Sequence, residues 1–238
     1  MSTFLQLAQR LRQETGVPGV GPTTVTGNIG ELQRLISWTQ DAWRSIQSKH
    51  QNWRWMRRSF TVTTTTGVSE YASGAATDTT DAALISRFSR WIVHDDYGLP
   101  TFTIYTTALG VANERRMVYM HWDYFRTIYR LGTQTNGTPA HFSITPANKI
   151  ALGPAPDATG YTVKGDYQMS AQELVADATT PDMPTRFHML IVYGAMLKYA
   201  GYEAAGDVYA IADKEYGKMM GTLLADQIPQ LLIGEPLA

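Results

Sequence analysis

No cysteine occurs anywhere in the 238 residues. That absence excludes disulfide staples, thiol nucleophiles and cysteine-ligated zinc, and it suits a chain made in a reducing cytosol. Charge is also scarce. Acidic and basic residues make up 17% of the chain and the net charge is −1, so the basic excess of a nucleic-acid binder is missing. No apolar run approaches the roughly 20 residues that span a bilayer, and the opening MSTFLQLAQRLRQE is too polar for a secretory leader. The sequence reads as a protein soluble where it is made, with no membrane contact. Histidines are few, and no two of His50, His94, His121, His141 and His188 stand at the i, i+4 spacing of helical zinc sites. His94-Asp95-Asp96 alone gathers metal-ligand residue types, and Tyr97-Gly98-Leu99-Pro100 after it marks a strand-end turn. Gly16-Val17-Pro18-Gly19-Val20-Gly21 follows a helix and lacks the Lys-Ser/Thr of a phosphate loop, so it reads as a flexible linker. There is no Gly-x-Ser-x-Gly elbow, and the carboxylates Asp166, Glu173, Asp177 and Asp182 show no spacing that pairs them. The expectation is of no catalytic residue, no metal and no cofactor.

What the chain does contain is apolar bulk, 44% of residues, enough for a proper core. Charge is unevenly spread. Residues 1–58 carry eight Lys/Arg against three acids, residues 59–181 eight against eleven, and residues 182–238 four against seven. A basic beginning and an acidic end suit contact between copies, and solvated faces explain such sums equally well.

The pattern predicts helices, then strands, then helices. Ser2 or Thr3 caps a first helix to about Glu14, with Phe4, Leu7, Ala8 and Leu11 on one face, and Gly16 ends it. Asn28 and Glu31 form a capping-box pattern before a second helix to about His50, lined by Leu32, Ile36, Trp43 and Ile46. Phe60–Thr63 alternates, turns near Gly67 and returns through Tyr71 as a hairpin; residues 74–83 read as a loop. Further strands are expected at Arg90–Val93, Thr101–Thr107 and Met117–Met120, and a short helix at residues 121–129. Between Gly137 and Tyr167, three strands separated by two tight turns are legible, the last with Tyr161, Val163, Gly165 and Tyr167 on one face. Pro184 opens a long helix that is apolar nearly all round, in which Gly194 and Gly201 admit close neighbours. A last helix covers about residues 204–224. The fold class is α+β: a helical bundle from N-terminal helices (1–58) and C-terminal helices (182–225), an inserted antiparallel β domain (59–181) and an extended C-terminal arm (226–238).

Two stretches invite a functional reading. In Trp53-Arg54-Trp55-Met56-Arg57-Arg58 the tryptophans either pack where the second helix meets the strands, with the arginines in solvent, or the cluster is a contact surface. In the arm, Ile228 precedes Pro229, and Leu231, Leu232 and Ile233 stand between Pro229 and Pro236. They either fold back on their own bundle or are covered by a partner.

The order of a tryptophan-rich helix exit, a hairpin, Gly137-x-Pro139-x-x-Phe142-x-Ile144, Ile150-x-Leu152-Gly153-Pro154-x-Pro156-Asp157, Tyr161 to Tyr167 and a Pro184-initiated helix resembles the head-to-tail adaptor (connector) proteins of tailed bacteriophages, closest to the tail-tubular-A, podophage-adaptor type. The resemblance implies a non-enzymatic virion protein of the neck, assembled in the host cytoplasm. It implies a ring, commonly dodecameric, bound beneath the portal protein and carrying downstream tail or nozzle proteins, with double-stranded DNA passing through the channel without specific binding. It also implies that Ile228, Pro229, Leu231, Leu232 and Ile233 are the portal-binding arm, and that the second and fourth helices pack laterally between copies. Two other readings stay open: a receptor- or carbohydrate-binding tail protein, suggested by 26 aromatic residues and a Thr-rich β block, and a peptidoglycan hydrolase.

Overall fold

The computed structural model describes residues 2–158 and 160–228. In chain order the elements are α1 (Phe4–Thr15), α2 (Gly30–Ser48), β1 (Arg57–Thr63), β2 (Glu70–Tyr71), β3 (Thr77–Asp78), β4 (Arg90–Ile92), β5 (Thr103–Thr106), β6 (Arg115–Arg116), β7 (Val118–Tyr119), α3 (Trp122–Tyr129), β8 (His141–Ile144), β9 (Ile150–Gly153), β10 (Tyr161–Gln168), α4 (Met189–Glu203) and α5 (Gly206–Gln227). The fold class is α+β, and the chain divides into two compact units. One is built from both ends, up to Trp55 and from Ala171 onward; the other is Met56–Ser170.

In the helical unit, α1 begins on a capping box: Thr3 Oγ1 accepts from the Gln6 amide, and Gln6 Oε1 accepts from the Thr3 amide. Phe4, Leu7, Ala8 and Leu11 are buried, as their spacing predicts. The capping box expected at Asn28 does not form. Ile29 is the N-cap of α2 and has no side-chain bond, because Asn28 Nδ2 is spent 2.6 Å from the Thr24 carbonyl, folding the preceding loop. Nor is that loop a free linker. Val17 and Val25 are buried, Gln9 Nε2 donates to the Pro22 carbonyl, and Asp177 Oδ1 accepts from the Val25 amide at 2.6 Å.

The long helix starts later than Pro184. A 3-10 turn, Thr185–Phe187, precedes it, and the buried His188 fixes the junction. Its Nε2–H donates to the Met183 carbonyl at 3.1 Å while Nδ1 accepts from the Ser2 amide at 3.3 Å. α4 packs against α1, α2 and α5 and buries Leu190, Ile191, Val192, Ala195, Met196 and Ala200. Gly194 is a close approach, since a Cβ there would lie 3.2 Å from both Ala42 Cβ and Tyr216 Cε2. Gly201 is not: it is exposed, three residues before the left-handed cap Ala204, with nothing near it.

The β unit holds two sheets, ordered β3-β1-β10-β5-β6 with β4 also on β10, and β2-β9-β8-β7. Its spine is the antiparallel β1–β10 ladder from Arg57↔Gln168 to Thr63↔Thr162. The expected β1–β2 hairpin does not form. Tyr71 pairs with Ile150, and β1 takes β3 instead, with Phe60 opposite Asp78. The cause is local. The Tyr71 hydroxyl donates to the Val68 carbonyl at 2.8 Å and accepts from the Thr65 amide at 2.9 Å, closing a small loop that turns Glu70–Tyr71 away. Residues 74–83 likewise contain β3 rather than only loop, because Ala76 and Asp78 are buried there. Of the three strands legible after Gly137, β8 and β9 make a hairpin, with Asn148 in the left-handed region at φ 55°. β10 crosses to the other sheet, so the three are not a meander. Two pairings depart from an all-antiparallel domain: β7 lies parallel to β8, and Gly137 makes an isolated parallel bridge with Pro156.

Aromatic rings fill the β core. Phe102 stacks on Phe142 with centroids 4.2 Å apart, and Phe60 lies 4.6 Å from Trp91 and 5.3 Å from Phe102. Gly165 makes room for them: a Cβ there would come within 2.9 Å of Phe60 Cε1 and 3.0 Å of Phe102 Cδ2.

Candidate functional site

The residues singled out around the second helix's exit separate into distinct environments. Trp53 is fully buried, its indole N–H donating to the Gln47 carbonyl at 3.1 Å, and it stacks on Trp55 at 4.3 Å. Trp55 is half-buried, and its Nε1 has no hydrogen-bond partner among the described residues. Arg54 is exposed. Arg57 and Arg58, in contrast, belong to the β sheet. Arg57 Nε and Nη2 both donate to Asp166 Oδ2, at 3.0 and 2.6 Å, and Arg58 Nη1 donates to Asp78 and Asp81. Two of the three arginines are therefore engaged by carboxylates, and the cluster is not a free cationic patch.

Asp78 was not legible in the sequence as a site. It is 4% exposed and accepts from Arg58, the Tyr167 hydroxyl and the Thr80 amide. Burial alone would raise its carboxyl, but those donors outweigh it and hold the group below the usual carboxylate range. Burial and the bond to Asp78 push the Tyr167 phenol well above its ordinary value. The arrangement locks β1, β3 and β10 together. His94-Asp95-Asp96 also serves architecture. Asp95 Oδ1 accepts from the Tyr97 and Leu99 amides, and His94 packs edge-on against Tyr119. Among the described residues no group of three His, Asp or Glu side chains is placed to hold a metal.

Of the expected arm, Ile228 is described: it is the half-buried C-cap of α5, with extended backbone at φ −98°, ψ 136°. Pro229, Leu231, Leu232 and Ile233 lie outside the described residues.

Two recesses escaped sequence reasoning. In the helical unit a groove of about 420 Å³ runs beside the end of α5, between Phe187 and a stripe of Glu215, Lys218, Met219, Thr222 and Asp226. The Arg186 guanidinium sits 4.9 Å over the Phe187 ring and is ion-paired with Asp226. Hydrogen bonds from Gln227 and then Arg186 hold the Asp226 carboxyl below its ordinary value. The three- and four-residue spacing of the stripe is readable in the sequence, but Glu215, Lys218, Thr222 and Asp226 read as a solvated face. In the β unit a polar recess of about 200 Å³ is lined by Tyr105, Thr106, Asn113, Arg115, Thr138 and Tyr161. Its residues come from four separate segments, so no linear signal marks it.

Exposed apolar side chains complete the picture. Tyr202, Tyr209 and Ile211 lie on the helical unit, and Leu109, Val111, Tyr124 and Leu131 on the β unit. No helix among the described residues is long and apolar enough to cross a membrane.

The chain belongs to the SU10 adaptor protein family, whose model matches residues 2–232. That is a family of structural bacteriophage proteins and not of enzymes, so the chain is a phage head-to-tail adaptor and a component of the virion. The resemblance to the head-to-tail adaptor proteins is borne out by this match. No curated protein matches the chain.

Proposed function

We propose that copies of this chain form a ring, dodecameric as is common for such adaptors, beneath the portal protein. The ring lengthens the DNA channel and offers the attachment platform for downstream tail or nozzle proteins, as in the tail-tubular-A, podophage type. One observation carries this reading: the family match runs through both units and on past Ile228 to residue 232. The arm of Ile228, Pro229, Leu231, Leu232 and Ile233 docks on the portal, whose rotational symmetry templates a contact that closes into a ring. Arg54 and Trp55 are the members of their cluster left to contact a neighbouring copy, because Trp53, Arg57 and Arg58 are engaged within their own units. A net charge of −1 suits a channel through which duplex DNA slides, since each neutralised phosphate adds grip. The chain acts in the virion neck after assembly in the host cytoplasm.

The test is co-sedimentation of the purified chain with portal-bearing heads. The full chain is expected to pellet with them, and deletion of residues 229–238 to leave a folded protein in the supernatant. Binding retained by the deletion overturns the arm assignment.

The polar recess at Tyr105, Asn113, Arg115 and Tyr161 supports a second reading, a carbohydrate-binding tail protein, because aromatic faces beside amide and guanidinium donors suit a sugar. Glycan-array binding lost on Tyr105→Ala would favour it over the adaptor ring.

A further inference from the structure

Five asparagines occur in the chain, followed in turn by Ile29, Trp53, Glu114, Gly137 and Lys149. The backbone nitrogen after an asparagine can attack the side-chain carbonyl carbon and close a five-membered imide. A side chain on the following residue hinders that attack, and only Gly137 has none. Asn136-Gly137 is therefore the labile pair. Packing also asks for glycine at this position, because a Cβ on residue 137 would lie 3.0 Å from Pro154 Cγ.

Asn136 is exposed, in the irregular segment between α3 and β8. The nitrogen that would attack it is not free. The Gly137 amide donates to the Ala155 carbonyl at 2.8 Å, and the next carbonyl, that of Pro156, accepts from the Gly67 amide at 2.8 Å. A little further along, the Ala140 amide donates to the Gly153 carbonyl at 3.0 Å. The segments around Gly67, Gly137 and Pro156 thus close on one another through backbone bonds. Imide formation needs the Gly137 nitrogen to lose its proton and swing toward the Asn136 side chain. While Ala155 holds that proton, neither can happen.

We propose that Asn136 is a self-modification site gated by this bond, converting to aspartate or isoaspartate only when Gly137 lets go of Ala155. In the step, the Gly137 nitrogen bonds to the Asn136 side-chain carbonyl carbon. The side-chain nitrogen leaves as ammonia, taking up the proton that the Gly137 nitrogen gives up. Water then opens the imide at either carbonyl, and no oxidant or reductant enters. Opening at the main-chain carbonyl gives isoaspartate, whose backbone is longer by a methylene group and no longer sets Gly137 against Ala155. A passing opening of the junction is thereby made permanent. None of this rests on the adaptor reading.

The test incubates the full chain at mildly alkaline pH, folded and in urea. Asn136 is followed by peptide mapping with isoaspartyl-methyltransferase labelling, and hydrogen exchange at the Gly137 amide is measured on the folded chain. In urea, Asn136 should react ahead of Asn28, Asn52, Asn113 and Asn148. Folding should slow it about tenfold or more, matching the protection of the Gly137 amide to within about threefold, because one opening exposes both. Another asparagine reacting first in urea overturns the site. Equal rates with and without urea overturn the gating. Slowing without protection of the Gly137 amide overturns the assignment of the gate to Ala155. Once isoaspartate has formed, the Gly67 and Ala140 amides should exchange faster in the folded chain. In Asn136→Asp, which adds the charge without the methylene group, they should keep their native rates. Equal exchange in the two overturns the permanent opening.

Discussion

In the helical unit, α4 buries aliphatic and small side chains of its own, with single rings such as Phe4 and Trp43 buried on the helices packed against it, and among the described residues the one buried titratable group there is the imidazole of His188. In the β unit, rings from Phe60, Trp91, Phe102, Phe142 and Tyr167 interlock across two sheets, and an ionised carboxylate, Asp78, is buried among its donors. The difference shows two ways of making a rigid part. Long helices already fix their own backbone register, and a small residue such as Gly194 lets them approach closely at the crossing. Short strands, several only two residues long, need large rings and a polar lock to hold their register.

The comparison breaks most severely at Phe60. Phe60→Ala should cost about 3–5 kcal/mol, and amide exchange should speed up in β10 while α4 stays protected. Equal loss in both units would mean that they unfold as one. Next is Asp78→Asn, which weakens the bonds from Arg58 and Tyr167 and should cost about 1–3 kcal/mol in chemical denaturation at neutral pH.

Acid sharpens the contrast. The Asp78 carboxyl is held low by its donors, and that of Glu114 by bonds from Thr103 and Lys164. The unfolded chain therefore binds more protons just below the ordinary carboxylate value, and the stabilisation is lost as pH falls from about 4 through the folded values. Burial depresses His188, so its contribution is full above about 6.5 and is lost as pH falls from there to the folded value. Protection in α4, measured against the intrinsic exchange rate at each pH, should therefore begin to fall at a higher pH than protection in β10, and His188→Gln should remove that early phase. The smallest effect is a gain. Gly201→Ala, with open space around it, should stabilise by about 0.5–1 kcal/mol, whereas Gly194→Ala should give no such gain because Ala42 and Tyr216 crowd the site.

Most of the elements were legible because each is announced locally. Ser2 or Thr3 as a cap, the Phe4–Leu7–Leu11 spacing and the alternation through β8, β9 and β10 all act within a few residues. What could not be read was pairing. Nothing near Tyr71 says that its strand belongs with Ile150 rather than Phe60, since that choice depends on a hydroxyl closing a loop onto Thr65 and Val68. Asn28 misled for a similar reason: its amide can cap a helix or fold the loop before it, and the loop won. For the candidate surfaces, residue type marked Trp53–Arg58 but not which arginines would find carboxylates, because Asp166 and Asp78 come from strands far away in sequence. The family resemblance succeeded where pairing failed, since it was carried by turn and core positions such as Gly153 and Pro154 rather than by any one contact.

The first and last strands of the inserted unit are each other's neighbours, and the Met169 amide bonds to the Met56 carbonyl at 2.8 Å where they begin and end. The chain therefore enters and leaves this part through a single doorway about 5 Å wide. A module attached in that way can be lifted out whole and its stump closed with a linker of a few residues. The same doorway would let another decoration be grafted in its place, leaving the helices to keep their own company.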